Sequence, residues 1–186
     1  MNTQQHIMKI AGAAIQSVSP YDMIHERIQL HGNTLTVRAG GSEPLSLNLS
    51  SYENVYVIGA GKATAPMAKA LEEILGSRIK DGAIAVKPGH SSELNIIRQI
   101  EGGHPVPNEG SAAAAREIAG IADRAGESDL VVNIISGGGS ALLTLPHERM
   151  PQNDKAGLTL NELETTPREL LACGAPVAEM HCIRKH

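Results

Sequence analysis

Apolar residues recur first at helical spacing and later gather into short continuous runs. Near the start, Ile7, Ile10, Ala11, Ala14 and Ile15 fall on one face of a helix over 3–17. Ser19-Pro20 ends it, because the residue before a proline avoids the helical region. Tyr21 to Leu30 (YDMIHERIQL) reads as a second short helix. HGNTLTV and LSLNLSS flank the glycine-bearing RAGGSEP and read as a small β-hairpin at the edge of the fold.

From Asn54 the pattern becomes regular. Val55 to Ile58 predicts a strand, followed by a glycine loop and a helix from Ala63 to Leu75. Ala83 to Val86 is the next strand, ending at the turn KPGH, and Ile96 to Ile100 a third, leading into EGGHPVPNEGS. A helix spans Glu109 to Arg124, with Asn108 as N-cap and Glu109 at the end of the helix dipole that favours an anion. Leu130 to Ile135 is a strand that enters a second glycine loop. Leu145 to Gly157 is polar and proline-punctuated, an excursion before helices over Thr159 to Ala172 and from Pro176 to His186. Continuous apolar strands alternating with helices imply an α/β fold, its parallel sheet buried between helices on both faces.

Composition narrows what this fold serves. A chain of 186 residues suits one domain. It has no Phe or Trp and three Tyr, so aliphatic residues and Met must fill the core, and bases find no aromatic platform to stack on. With a formal net charge of −4 it lacks the basic excess of a nucleic-acid binder. Cys173 and Cys182 are too few for a disulfide scaffold, and no stretch has the length of a secretory signal or a membrane span. These features point to a cytoplasmic protein with neither nucleic acid nor membrane as partner.

The candidate chemistry lies in the two glycine loops, VIGAGKAT and IISGGGSALL. Ligands of open α/β sheets bind beyond the carboxyl ends of strands, where glycine admits close approach and helix starts offer unpaired N–H groups. Together the loops suggest a cradle for phosphate or carboxylate. In the first, Gly59 and Gly61 enclose one residue, which excludes a Walker A loop. Thr64 at the sixth position, and a following strand that ends Ala85-Val86-Lys87 without an acid, depart from a dinucleotide site. Lys62 adds positive charge to the positive end of a helix, which makes sense beside a bound anion. In the second loop Ser136 and Ser140 bracket Gly137, Gly138 and Gly139; GxSxG is absent, so this is no nucleophile elbow. His104, in GGHPVPNEGS, is a candidate for substrate contact or proton transfer, and Lys87 and His90 for the same sheet edge. Cys182 and His186 have i, i+4 spacing but no further ligands, so no metal site is assigned.

VIGAGKATAPMAKALE, GGHPVPNEGS, NIISGGGSALL and LTLNELETTPRELLACGAPVAEMHCIRKH, in that order, resemble the glycerate 2-kinase family of the MOFRL type. The match runs from about Ala11 to His186 and rests most on SGGGSALL together with the RKH segment. The resemblance implies a Rossmann-like three-layer αβα sandwich facing a carboxyl-terminal domain across a cleft. It also implies transfer of the γ-phosphoryl of ATP, with Mg²⁺, to the 2-hydroxyl of D-glycerate. Lys62 becomes the expected catalytic residue. Gly59, Gly61, His104, Ser136, Gly137, Gly138, Gly139, Ser140, Arg184 and Lys185 become expected binding residues. Full members are more than twice as long, so residues 1–186 are expected to be an amino-terminal portion without the MOFRL domain, inactive as a kinase alone. The alternatives are an NAD(P)-dependent hydroxypyruvate reductase and a non-catalytic anion-binding domain.

Overall fold

The structure, a computed structural model, describes residues 2–146 and 157–185. Four parallel strands form the main sheet: β4 (Val55–Ala60), β5 (Ile79–Val86), β6 (Ile97–Glu101) and β7 (Leu130–Ile135). Their spatial order is β6-β5-β4-β7. The chain therefore steps outward from β4 to β6 and then returns to the other side of β4. That reversal leaves a crevice beyond the carboxyl ends of β4 and β7, where open α/β sheets hold ligands. The pairing is in register from Val55 opposite Leu130 to Ala60 opposite Ile135, so the two glycine loops leave the sheet side by side.

Alternation along the strands divides the core between two helices. Val57, Ile84 and Val86 face α3 (Thr64–Leu75), packing with Ala68, Leu71 and Leu75. Tyr56 and Ala83 face α4 (Glu109–Arg124) with Ile118 and Ile121, and Ala60 and Ala85 pack with Ala114. Burying Leu71, Leu75 or Ile84 contributes about 1.5–3 kcal/mol each. Small residues on both sides of the α4 contact bring helix and sheet close, which is how a core without Phe or Trp closes. Glu72 is buried on α3, and its carboxylate accepts the amides of Asn95, Ile96 and Ile97 at 2.9, 2.5 and 2.8 Å. These bonds compensate the buried charge and tie the approach to β6 onto α3.

The amino-terminal part differs from the sequence expectation in one respect. The second helix, α2 (Pro20–Arg27), stops before Ile28, and Ile28–His31 form a strand, β1. β1 pairs with β2 (Thr34–Val37), which pairs with β3 (Leu45–Asn48), so the hairpin is part of a three-stranded antiparallel sheet. A two-residue turn joins His31 to Thr34, and Gly32 has the positive φ (+58°) such a turn requires at its first position. Ile28 and Leu30 alternate with polar neighbours, a period of two that a helical reading of so short a segment obscures. α2 is held on α3 by Glu73, which accepts from the Tyr21 hydroxyl and lies 3.0 Å from His25 Nε2. The first helix, α1 (Thr3–Gln16), has a capping box between Asn2 and Gln5 and no buried residue.

The last two helices follow the expected pattern, while a short helical turn after β7 is not among the elements expected from sequence. α5 (Gly139–Leu142) is a single turn after the second loop, α6 spans Leu160–Ala172 with Thr159 as its cap, and α7 spans Val177–Lys185. Most of the excursion expected over Leu145 to Gly157 lies outside the described residues. Among the described residues, no helix is long and apolar enough to cross a membrane.

Candidate functional site

β4 ends at Ala60, and the chain turns through Gly61 (φ +146°) into α3. A Cβ at Gly61 would lie 2.0 Å from Ser136 Oγ and 2.6 Å from Ser136 O, so a side chain has no space between the two strand ends. The amides that follow are engaged by the protein. Gly61 N–H donates to Ala85 O (3.1 Å), Lys62 N–H to Gly137 O (2.9 Å) and Ala63 N–H to Ser136 Oγ (3.0 Å). Thr64 N–H reaches Gly61 O at 3.4 Å, and Pro66 has no N–H to offer. Ala63 cannot cap α3, so Ser136 acts as the cap from a neighbouring strand, its Oγ also 3.2 Å from Thr64 Oγ1.

The second loop is open. Among the described residues, the amides of Gly137, Gly138 and Gly139 donate to no protein group. Gly138 has φ +94° and stands at the N-cap of α5, just beyond the carboxyl end of β7. A Cβ at Gly137 would lie 3.9 Å from Lys62 Cε. One at Gly138 would lie 3.2 Å from Lys62 Cγ and 3.0 Å from His104 Nε2. Lys62 and His104 therefore flank the middle glycine of the loop. Lys62 is exposed and His104 half-buried.

His104 is carried by a loop that α4 holds. Gly103 N–H donates to Asn108 Oδ1 (2.8 Å) and Ser111 Oγ (2.9 Å), and Gly102 N–H to Val86 O (2.9 Å). Asn108 and Ser111 also form the capping box of α4, and Ser111 is fully buried. The His104-Pro105 peptide is cis. Asn108 is recognisable from sequence as an N-cap, but its second bond, to Gly103, is not. The bonds Ser111 receives from Gly103 and Thr64 shares with Ser136 escape sequence reasoning because they reach other loops or strands.

The structure thus brings Gly61, Lys62, His104, Ser136 and Gly137–Gly139 to one end of the β4–β7 pair. Gly59 lies inside β4, where a Cβ would meet Ile134 O at 2.1 Å, so its place is in sheet packing. Ser140 is exposed on α5, its carbonyl accepting from Thr144 Oγ1. Lys87 and His90 form a turn after β5, one strand further along the same edge. Arg184 and Lys185 close α7, and their side chains lie outside the described part of the structure. Among the described residues, no group of three or more His, Cys, Asp or Glu is arranged to hold a metal. Cys182 is exposed, and its i+4 neighbour His186 is outside the described residues.

Comparison with known proteins places this geometry. Residues 6–186 match the family model described as "Domain of unknown function (DUF4147)". The chain belongs to the DUF4147 family. This DUF4147 chain is 37% identical over 186 residues to a glycerate 2-kinase of Pyrococcus horikoshii, an alignment covering all of it and 38% of that relative. A relative from Agrobacterium vitis, 42% identical over 129 residues, carries a provisional hydroxypyruvate reductase name; 69% of this chain and 31% of the relative align. Among solved structures, the PH0495 protein of Pyrococcus horikoshii superposes with a TM-score of 0.77 at 35% identity, covering 100% of this chain and 39% of the other. The DUF4147 chain thus spans well under half the length of these relatives.

Proposed function

We propose that this chain supplies the anion-holding wall of a glycerate 2-kinase. In this reading it is the amino-terminal Rossmann-like part of a longer cytoplasmic enzyme whose carboxyl-terminal MOFRL domain forms the other wall. The enzyme transfers the γ-phosphoryl of ATP to the 2-hydroxyl of D-glycerate, giving 2-phosphoglycerate. The observation that carries the proposal is the set of amides at Gly137–Gly139, without a protein partner among the described residues, beside Lys62 and His104. Phosphoryl transfer is largely positioning and charge stabilisation, and preorganised N–H donors with an ammonium group provide both. Lys62 neutralises charge on the transferring group, and His104 binds substrate or relays its proton. Ser136 positions both loops, while Ser140, Arg184 and Lys185 serve binding. Among the described residues, those gathered at the loop include no carboxylate, the ligand type by which proteins usually hold Mg²⁺.

The reductase name of the Agrobacterium vitis relative favours a second reading, NAD(P)-dependent reduction of hydroxypyruvate. Two features oppose it. The helix start that would receive a dinucleotide pyrophosphate is capped by Ser136, and no acid follows β5 to hold ribose hydroxyls.

ADP release from ATP, Mg²⁺ and D-glycerate tests the proposal, with this chain joined to the remaining region of the Pyrococcus horikoshii relative. Turnover is expected from the joined protein and none from the chain alone. Lys62→Ala should lower kcat at least about 100-fold. Equal turnover by Lys62→Ala removes its catalytic role, and NADH oxidation with hydroxypyruvate overturns the kinase reading. Anion binding without turnover in the joined protein leaves the non-catalytic domain.

A further inference from the structure

A cavity opens between α2, the end of β2 and the first turns of α3, reaching Ala63 and Ser136 at the glycine loops. Its volume is about 350 Å³, and Met23, Ile24, Val37 and Met67 give it almost wholly apolar walls. Ala63 and Ser136, the two residues that lock the first loop, also line it. Arg27 and Arg38, both exposed, line it as well, and Arg27 Nη1 reaches Arg38 O at 3.5 Å. The volume falls in the range of small-molecule sites, about 300–1,000 Å³.

We propose that this cavity takes the purine base of a nucleoside triphosphate whose phosphates rest on Gly137–Gly139. This rests on the anion-cradle reading above and adds the place of the base. Two of the residues lining the cavity adjoin the cradle in the chain: Ala63 follows Lys62, and Ser136 precedes Gly137. Methionine thioethers and aliphatic walls suit the faces of a flat heterocycle, and planar guanidinium groups stack on such faces. Charge selects the same occupant. A triphosphate brings negative charge towards Arg27, Arg38 and Lys62. The exposed apolar face of α1 from a second copy would instead bring Lys9 and a helix without any acidic residue.

Methyl-labelled methionine and amide NMR of the full chain tests this with ATP, adenosine and inorganic tripolyphosphate as separate probes. ATP is expected to shift the Met23 and Met67 methyls and the Gly137–Gly139 amides together. Adenosine should shift only the methyls, and tripolyphosphate only the amides. ATP should bind at least about tenfold more tightly than tripolyphosphate, a difference of about 1.4 kcal/mol. Ala39→Leu, which adds bulk to the cavity lining, should erase that difference and leave tripolyphosphate affinity unchanged. Met67→Leu, close in volume, should retain it. Equal affinity for ATP and tripolyphosphate with silent methyls overturns the base site and leaves the cradle standing. Methyl shifts from adenosine without any amide response to tripolyphosphate keep the base site and overturn the cradle. Methyl shifts that grow with protein concentration alone assign the cavity to a second copy's α1 and overturn the proposal. Tighter occupancy by a fatty acid than by adenosine overturns it too.

Discussion

The loop after β4 and the loop after β7 begin alike, each a buried strand running into glycine and then a helix, on neighbouring strands of one sheet. They end differently. Around Gly61 the amides of residues 61–64 all find acceptors within the protein, and Ser136 Oγ fills the space a ligand would need. Around Gly138 three amides are left without a protein partner among the described residues, and two basic side chains flank them. Glycine thus serves close packing in one loop and exposure of N–H groups in the other. Lys62 connects the two roles: its backbone binds Gly137 while its side chain runs along the open loop.

The comparison breaks first at Gly61. Gly61→Ala forces a methyl into Ser136 backbone and side-chain atoms at a positive φ, and should destabilise the chain by about 4 kcal/mol or more in urea unfolding. Survival of normal stability would show that the two loops do not interlock. Lys62→Ala should act the other way: an unchanged unfolding curve, with tripolyphosphate affinity about tenfold weaker by calorimetry. Ser136→Ala removes the borrowed cap of α3 and should cost about 1 kcal/mol in thermal unfolding while tripolyphosphate binding persists. Gly137→Ala, with no neighbour closer than 3.9 Å to the added Cβ, should change stability by less than about 0.5 kcal/mol. A large loss there would mean the open loop is packed as tightly as the closed one.

The smallest effect concerns the scaffold beneath both loops. The hydrogen bond from Tyr21, then His25, holds the Glu73 carboxyl below its ordinary range against the opposing effect of burial. A depressed folded-state pKa stabilises above the unfolded value, so this contribution fades as pH falls below about 4. The same bond raises the Tyr21 phenol, whose contribution is present below about pH 10 and fades above it. In pH-dependent unfolding, Tyr21→Phe should flatten both limbs slightly; steeper limbs would remove the clamp from the account.

Much of the main sheet is legible in the chain, because an apolar run such as VYVIGA states its own burial on both faces. The capping pattern that starts α4 at Asn108 is equally local. β1 is less legible, since four alternating residues beside a helix carry too short a period to separate the two forms. Ser136 shows the limit more sharply. Its position in SGGGS suggests a ligand-binding hydroxyl, while its observed partners, Ala63 N–H and Thr64 Oγ1, are more than seventy residues away.

Sequence alone determined the alternation of strands and helices, the loops at the carboxyl ends of two strands, and the lysine set against a helix dipole. Periodicity, backbone freedom and charge are local properties, so they can be read along the chain. Tertiary structure decided which loop remains open. Strand order makes β4 and β7 neighbours, and that adjacency lets Ser136 occupy one helix start while, among the described residues, the amides of Gly137–Gly139 have no protein acceptor. An amide becomes a binding group only when no acceptor elsewhere in the fold reaches it, and that depends on residues distant in sequence.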